Sequence, residues 1–346
     1  MNLSEEATKK TVIELSGKGN SYAKIGEALG IPKSTVGDFL SRNTYTDWWD
    51  SYDENLPSQE SPITEVVLEP LVCSDIVTVE TSSTSPDFTD HLVIPDTQCK
   101  EGVDMSYLSW IGEYIVDRQP STIVHLGDHA DMPSLCSYDR GRKTFEGRRV
   151  TRDINAAIEG MNLLLAPLKK YQAAELKLYG EIRYKPRLIL TLGNHEERIL
   201  RHVEANPELI GFLSLSNLKY KEMGWEVYDF LKPVVVNGVT YVHYLANPMS
   251  GKPYGGMASN ILKHVGESFT VGHKQTLDIT TRFLPASGRQ QWGIIAGACY
   301  LHEEDYKGPQ GNHHWRGIIV KHKVSEGSYN PMFVDLGFLK RKYGGR

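Results

Sequence analysis

Five apolar runs in this chain each end on residues that can bind a metal ion, and that recurrence constrains the fold more than any other feature. Ile123 to Leu126 reads as a buried strand; Gly127 breaks it and Asp128 sits at its lip. HLVIPDTQ ends on Asp96 and Gln98, and RLILTLGNHE ends on Asn194, His195 and Glu196. TYVHYLAN carries His243, and FTVGHKQ carries His273 and Gln275, again straight after apolar stretches. Open α/β sheets gather their chemistry beyond the C-terminal ends of their strands. The five ends are therefore expected to meet at one site.

The spacing between these runs predicts strand–helix alternation from residue 91 onward. A helix is expected through MSYLSWIGEYIVDR, and a long one from about Asp153 to Leu178 ahead of the RLILTL strand. After residue 225 the pattern turns β-rich, with VVVNGVTYVHY reading as a hairpin across Asn237-Gly238. A helix around 257–265 leads into the GHKQ strand end, and two or three strands close the chain. Alternation followed by β implies an α/β fold of two packed sheets with helices outside.

Taken in order, the motifs resemble those of the metallophosphoesterase (calcineurin-like phosphoesterase) superfamily. Its pattern of D-x-H, GDxxD, GNHE, a lone His and GHxH stands here as Asp96-Thr97-Gln98, GDHAD at 127–131, GNHE at 193–196, His243, and Gly272-His273-Lys274-Gln275. The resemblance covers roughly residues 90–340 and implies a four-layer αββα sandwich. YDRGRKTFEGRR and GNHHWRGIIVKH are similar to members encoded by phages.

The resemblance implies two divalent metal ions bridged by Asp128. Asp96, Gln98 and Gln275 would complete the first site, and Asn194, His243 and His273 the second. Two ions ~3.5–4 Å apart would hold a hydroxide between them and neutralise a phosphoryl group under in-line attack. His195 would protonate the leaving oxygen or stabilise the transition state, with Asp131 and Glu196 as orienting carboxylates. The chain departs from the pattern twice, at Gln98 and Gln275, where the family has histidine, and both departures fall on the first ion. Amide oxygens there favour manganese or magnesium over zinc or iron; an alternative is a one-metal or inactive centre.

The other histidines read differently. His125 is expected in the core or behind the ligands, and His129, after the bridging Asp, against a substrate phosphate or, alternatively, in a structural role. His313 and His314 are read as a solvated loop, or alternatively as lining the cleft. Arg140, Arg142, Lys143, Arg148, Arg149 and Arg152 crowd into YDRGRKTFEGRRVTRD directly after the bridging-Asp loop. With Tyr138 and Phe145 interleaved, this run would clamp phosphates and stack a base; the plainer reading is a solvated face.

Ahead of the catalytic region lies a different kind of sequence. Ser4 caps a predicted helix over 4–18, and Ser21 a short one ending at Gly30, with the next starting at Pro32. This resembles a helix-turn-helix, 1–48, offering Lys33, Ser34 and Thr35 to a major groove and Arg42 to the backbone. Residues 49–90 form an acidic Ser/Thr/Pro linker, in which ITEVVLEPLVCSDIVTVE has the alternation of an edge strand or hairpin. If flexible, about 40 residues span roughly 35 Å.

Charge follows this division. The net charge is −5, yet residues 50–90 hold ten acids and no Lys or Arg, while residues 1–49 hold six of each sign. The remainder is thus +5, which permits a polyanionic substrate. Neutral charge on the head favours the alternative of a protein-contact or dimerisation module, since phosphate contacts dominate DNA affinity.

No apolar run reaches the ~20 residues of a membrane span, and MNLSEEATKK lacks a signal-peptide core. Four scattered cysteines with no C-x-x-C pair suggest neither disulfides nor a zinc knuckle. The expected setting is the cytoplasm, that of the host if the chain is phage-encoded.

Three functions compete. The first is a metal-dependent DNA nuclease, the second a small-nucleotide phosphodiesterase or phosphatase with a regulatory helix-turn-helix, and the third a DNA-binding protein with an inactive hydrolase domain. A phosphoprotein phosphatase is disfavoured, because that branch has Arg before GNHE where this chain has Leu192. A dimer would suit the helix-turn-helix, and the sequence leaves the oligomeric state open.

Overall fold

The computed structural model describes Thr11, Val12, Leu15 and residues 21–36, 77–78 and 88–345 apart from 140, 305 and 306. The chain divides into two compact units, Met1–Leu71 and Val72–Arg346. The division falls inside the acidic segment, and Val77–Thr78 (β1) pairs with the second unit's sheet. Most of the predicted linker, much of the first helix and Arg42 lie outside the described residues.

In the first unit, α1 (Tyr22–Leu29) starts at Ser21, whose side chain accepts from the Lys24 amide, and stops at Gly30 with φ 64°. Residues 33–36 are helical again. Val12, Ile25, Ile31 and Val36 form the buried cluster of this unit. Lys33 and Ser34 are exposed and Thr35 is half-buried.

The second unit is an α/β structure of two mixed six-stranded sheets. One has the order β12 (Ser328–Asp335), β11 (Gly317–Ser325), β2 (Thr89–Ile94), β3 (Thr122–His125), β4 (Arg187–Thr191), β5 (Glu226–Tyr228). The other runs β1, β6 (Val234–Val236), β7 (Val239–Val242), β8 (Phe269–Val271), β10 (Gln290–Ala296), β9 (Leu277–Phe283). Strands β2 to β5 are mutually parallel, as are β7, β8 and β10. Between strands lie α2 (Ser106–Arg118), α3 (Val150–Tyr179), α4 (Glu197–Ala205), α5 (Ala258–Val265) and the single turn α6 (Gly308–Gly311), with α7 (Leu336–Tyr343) last. The Asn237-Gly238 hairpin forms as the sequence predicts: Val236 faces Val239, and both turn residues have positive φ, 49° and 79°.

Side chains alternate across a strand, and both faces of the central strands are covered, so these strands read as unbroken apolar runs. Leu92, Ile94, Ile123 and Leu190 join α2 and α3 in one core. Val93, Val124 and Ile189 turn the other way and pack with Val234, Val236, Tyr241 and Ile294 of the second sheet. The second sheet's far side carries α5, through Ile261 and Leu262 against Phe269 and Val271.

Between the sheets sits a polar exception. Lys321, fully buried, donates to the Tyr241 hydroxyl at 3.2 Å and to Thr270. Tyr241 is in turn 2.8 Å from His91 Nδ1, whose other nitrogen reaches Asn237 Oδ1 at 3.1 Å. Burial, with the Lys321 charge adding to it, lowers His91 to about 3, so the ring is held neutral. Among the described residues, no helix is long and apolar enough to cross a membrane.

Candidate metal centre

The five strand ends do meet. Asp96 and Gln98 follow β2, Asp128 follows β3, Asn194 to Glu196 follow β4, His243 follows β7, and His273 and Gln275 follow β8. The loops are stitched directly to one another: the Gln98 amide donates to Asp128 O at 2.9 Å and the Gly272 amide to His243 O at 2.9 Å. Gln98, Asp128, His273 and Gln275 all have left-handed backbone, with φ of 43°, 48°, 67° and 60°. Such conformations cost on the order of 1–3 kcal/mol each in non-glycine residues and persist where surrounding structure enforces them, characteristically at functional sites. Two glycines make room for carboxylates: a Cβ on Gly193 would lie 2.1 Å from Asp128 Oδ1, and one on Gly272 2.4 Å from Asp96 Oδ1.

One ligand atom from each of Asp128, His243 and His273 falls within 4.8 Å of the others. His243 Nδ1 is 2.8 Å from the Leu126 carbonyl, which only accepts, so Nδ1 carries a proton. Its Nε2 then faces Asn194 Oδ1 at 2.9 Å and Asp128 Oδ2 at 3.3 Å, two further acceptors. His273 Nδ1 meets the same Asn194 oxygen at 2.7 Å. Two imidazole nitrogens, an amide oxygen and a carboxylate oxygen converging in this way require a cation among them, a proton on His243 or a metal ion. Burial opposes charge on His243, but Asp128 outweighs it and carries the ring up to about 9. Burial and the neighbouring His243 push His273 down to about 4. The donor set fits a divalent ion.

The Asp96 side fits less well. Asp96 is fully buried with Oδ2 lacking a hydrogen-bond partner, and both amide atoms of Gln98 are likewise buried and unpartnered. Those orphaned oxygens suit a hard cation. Burial, reinforced by Asp128, raises the Asp96 carboxyl to about 7 although His243 opposes the rise. Gln275 does not fit: its Oε1 already accepts from the Tyr300 hydroxyl at 2.9 Å and from the Lys307 ammonium.

The structure places the expected catalytic groups beside the ligands. His195 Nδ1 lies 2.9 Å from Asp131 Oδ1, and its Nε2 lies 3.6 Å from Asp128 Oδ2. Burial lowers His195, but the nearby carboxylates of Asp128 and Asp131 prevail and raise it. Asp131 also meets Lys100 at 3.3 Å, and Lys100 meets Glu304 at 2.8 Å. Glu196 orients backbone: Oε2 accepts from the Asp128 and Gly193 amides at 3.0 and 2.9 Å, and Oε1 from Ala130 at 2.9 Å. It thus fixes the Asp128 loop to the GNHE loop.

Several sequence expectations change. His129 is fully buried, with Nε2 on the Ala157 carbonyl at 2.9 Å and Nδ1 against Thr97 Oγ1 at 2.8 Å. Both ring nitrogens are spent inside the core, so the expected phosphate contact is replaced by a packing role. His125 is buried too, between Thr97 and the Gly127 amide. Arg148 donates to Asp139 at 2.7 Å and Pro133 O at 2.9 Å, which pins the basic loop internally and leaves it less suited to clamp a phosphate. Arg142, Lys143 and Arg149 are exposed, as is Tyr138; Arg140 lies outside the described residues. His313 is exposed and His314 packs edge-on against Tyr300. Sequence reasoning missed Lys307 and Tyr300. The only signal for them was the pair of glutamines standing where imidazoles were expected.

Neither a protein-family model nor a curated protein matches this chain. Among solved structures it is similar to a crystal structure at 13% identity, over 72% of this chain and 99% of that one, with a TM-score of 0.28. A likeness at that level bears on neither fold family nor activity.

Proposed function

We propose that the chain is a metal-dependent phosphodiester hydrolase of the metallophosphoesterase type, most readily a DNA nuclease, whose four-layer αββα unit follows a helix-turn-helix head. The observation that carries this reading is the convergence of Asn194, Asp128, His243 and His273, with His243 Nδ1 tied to Leu126 so that Nε2 is aimed at the other ligands. These four would hold a divalent transition-metal ion such as manganese, which when bound would supply Lewis-acid charge for a phosphoryl group and lower the pKa of a water.

The chain's own residues supply the rest. Asp131 orients the imidazole of His195 through Nδ1, leaving Nε2 toward the site. In hydrolysis a water oxygen bonds to phosphorus, the ester P–O bond breaks, and His195 gives its proton to the departing alkoxide. The proton released by water goes to solvent. Glu196 and the left-handed loop residues hold this geometry before substrate arrives.

The nuclease assignment within this class rests on the exposed Arg142, Lys143 and Arg149, joined to the loop that carries Asp128 and Asp131, and on the exposed Lys33 and Ser34 of the head. The internal pairing of Arg148 favours the second reading, a small-nucleotide phosphodiesterase, because it removes one cation from the substrate-facing set. The Arg142→Glu/Arg149→Glu variant separates the two. For a nuclease it should cut DNA about tenfold more slowly at low salt than the parent, with hydrolysis of bis(p-nitrophenyl) phosphate unchanged. Equal DNA cutting by both proteins would move the assignment to the small substrate.

A further inference from the structure

We propose that the Lys307 ammonium supplies the positive charge on the Asp96–Gln98–Gln275 side of the centre, so that the protein binds one divalent ion per chain. The proposal rests on the metal-hydrolase reading and sharpens it.

Three observations carry it. First, the Gln275 carbonyl, the atom that would have to turn toward an ion, is the acceptor for both Lys307 Nζ and the Tyr300 hydroxyl. The remaining atom of that amide is an NH2 group, which cannot ligate a cation. Second, Lys307 is positioned by more than one partner. Its Nζ is 3.1 Å from the Tyr300 hydroxyl and 5.8 Å from the centre of that ring, while Arg316 packs 4.9 Å from the same ring centre. Tyr300 itself is fully buried, so the cradle is fixed. Third, Asp96 Oδ2 is buried without a hydrogen-bond partner; burial lowers Lys307, and the carboxylates of Glu304 and then Asp96 oppose that and favour its charged form.

The chemistry of the two glutamines follows from this. A histidine at 98 or 275 would present a nitrogen lone pair suited to a transition metal. A glutamine carbonyl is as well matched to an ammonium donor as to a hard ion. With Lys307 in place, a second dication would be repelled by a fixed positive charge beside it. A monocation tethered to the chain would still offset phosphate charge at that position.

The test is the number and magnetic coupling of bound Mn2+ ions. Apo protein is titrated with Mn2+ and followed by equilibrium dialysis and electron paramagnetic resonance. The expected result is one Mn2+ per chain with an uncoupled six-line spectrum. Two ions per chain with an exchange-coupled spectrum would overturn the proposal. Lys307→Ala should slow bis(p-nitrophenyl) phosphate hydrolysis at least tenfold; unchanged hydrolysis would also overturn it. Gln98→His/Gln275→His/Lys307→Ala should take up a second, coupled ion, and a count that stays at one would show that Lys307 does not exclude it. No Mn2+ uptake by the parent at millimolar concentration would instead sink the metal-hydrolase reading itself.

Discussion

Asp128→Asn is expected to lower divalent-ion-dependent phosphodiester hydrolysis by about 10³-fold, equivalent to roughly 4 kcal/mol of transition-state stabilisation. The substitution removes a charge and little else. Asn keeps an oxygen to accept the His195 amide, now held by Asp128 Oδ1 at 2.9 Å, and the backbone amide at 128 still donates to Glu196. The loop should therefore keep its shape, while the lost pairing of the buried carboxylate with His243 and His195 lowers the melting temperature of the metal-free protein. What disappears is the carboxylate that faces Nε2 of both His243 and His195, at 3.3 and 3.6 Å. An ion at the Asn194–His243–His273 cluster would lose its only anionic ligand from that set. Steady-state kinetics with a thermal melt checks this; a variant within tenfold of the parent would show that Asp128 is not at the reacting centre.

Glu196→Ala should act on stability. Three buried backbone amides, of Asp128, Ala130 and Gly193, lose their acceptor at once. Each unsatisfied buried donor costs about 1–3 kcal/mol, so the loss is about 3–9 kcal/mol, a large share of the roughly 5–15 kcal/mol that holds a domain folded. Burial, followed by the Asp128 charge, raises the Glu196 carboxyl, and the amide hydrogen bonds oppose that rise. Glu196→Gln, which keeps one acceptor oxygen, should fall between the parent and Ala. Denaturant titration of the three proteins gives the comparison. If Ala melts with the parent, Glu196 does not fasten the two loops.

Much of this centre was legible in the chain because strand ends are local events. A run such as Ile123–Leu126 followed by Gly127 marks both the strand and the point where Asp128 emerges, and parallel pairing of β2, β3 and β4 then brings the neighbouring ends together. The Asn237-Gly238 hairpin was legible for the same reason, since its turn chemistry lies within two residues. Partners contributed by distant loops were not. Lys307 reaches Gln275 from 32 residues away, in a segment with no periodicity to place it. His129 looked like a phosphate ligand from its position after Asp128, but the direction of its ring depends on Thr97 and on the Ala157 carbonyl of α3. Arg148 belonged to a cationic run in one dimension and to Asp139 in three.

The central claim is that two imidazoles, those of His243 and His273, hold a divalent ion with Asp128 and Asn194. Electron spin-echo envelope modulation of the Mn2+-loaded protein, prepared with natural-abundance and with 15N-labelled histidine, tests it most directly. The predicted result is modulation from two directly bound histidine nitrogens that shifts on 15N labelling. A spectrum like that of hydrated Mn2+, with no histidine modulation, would contradict the assignment.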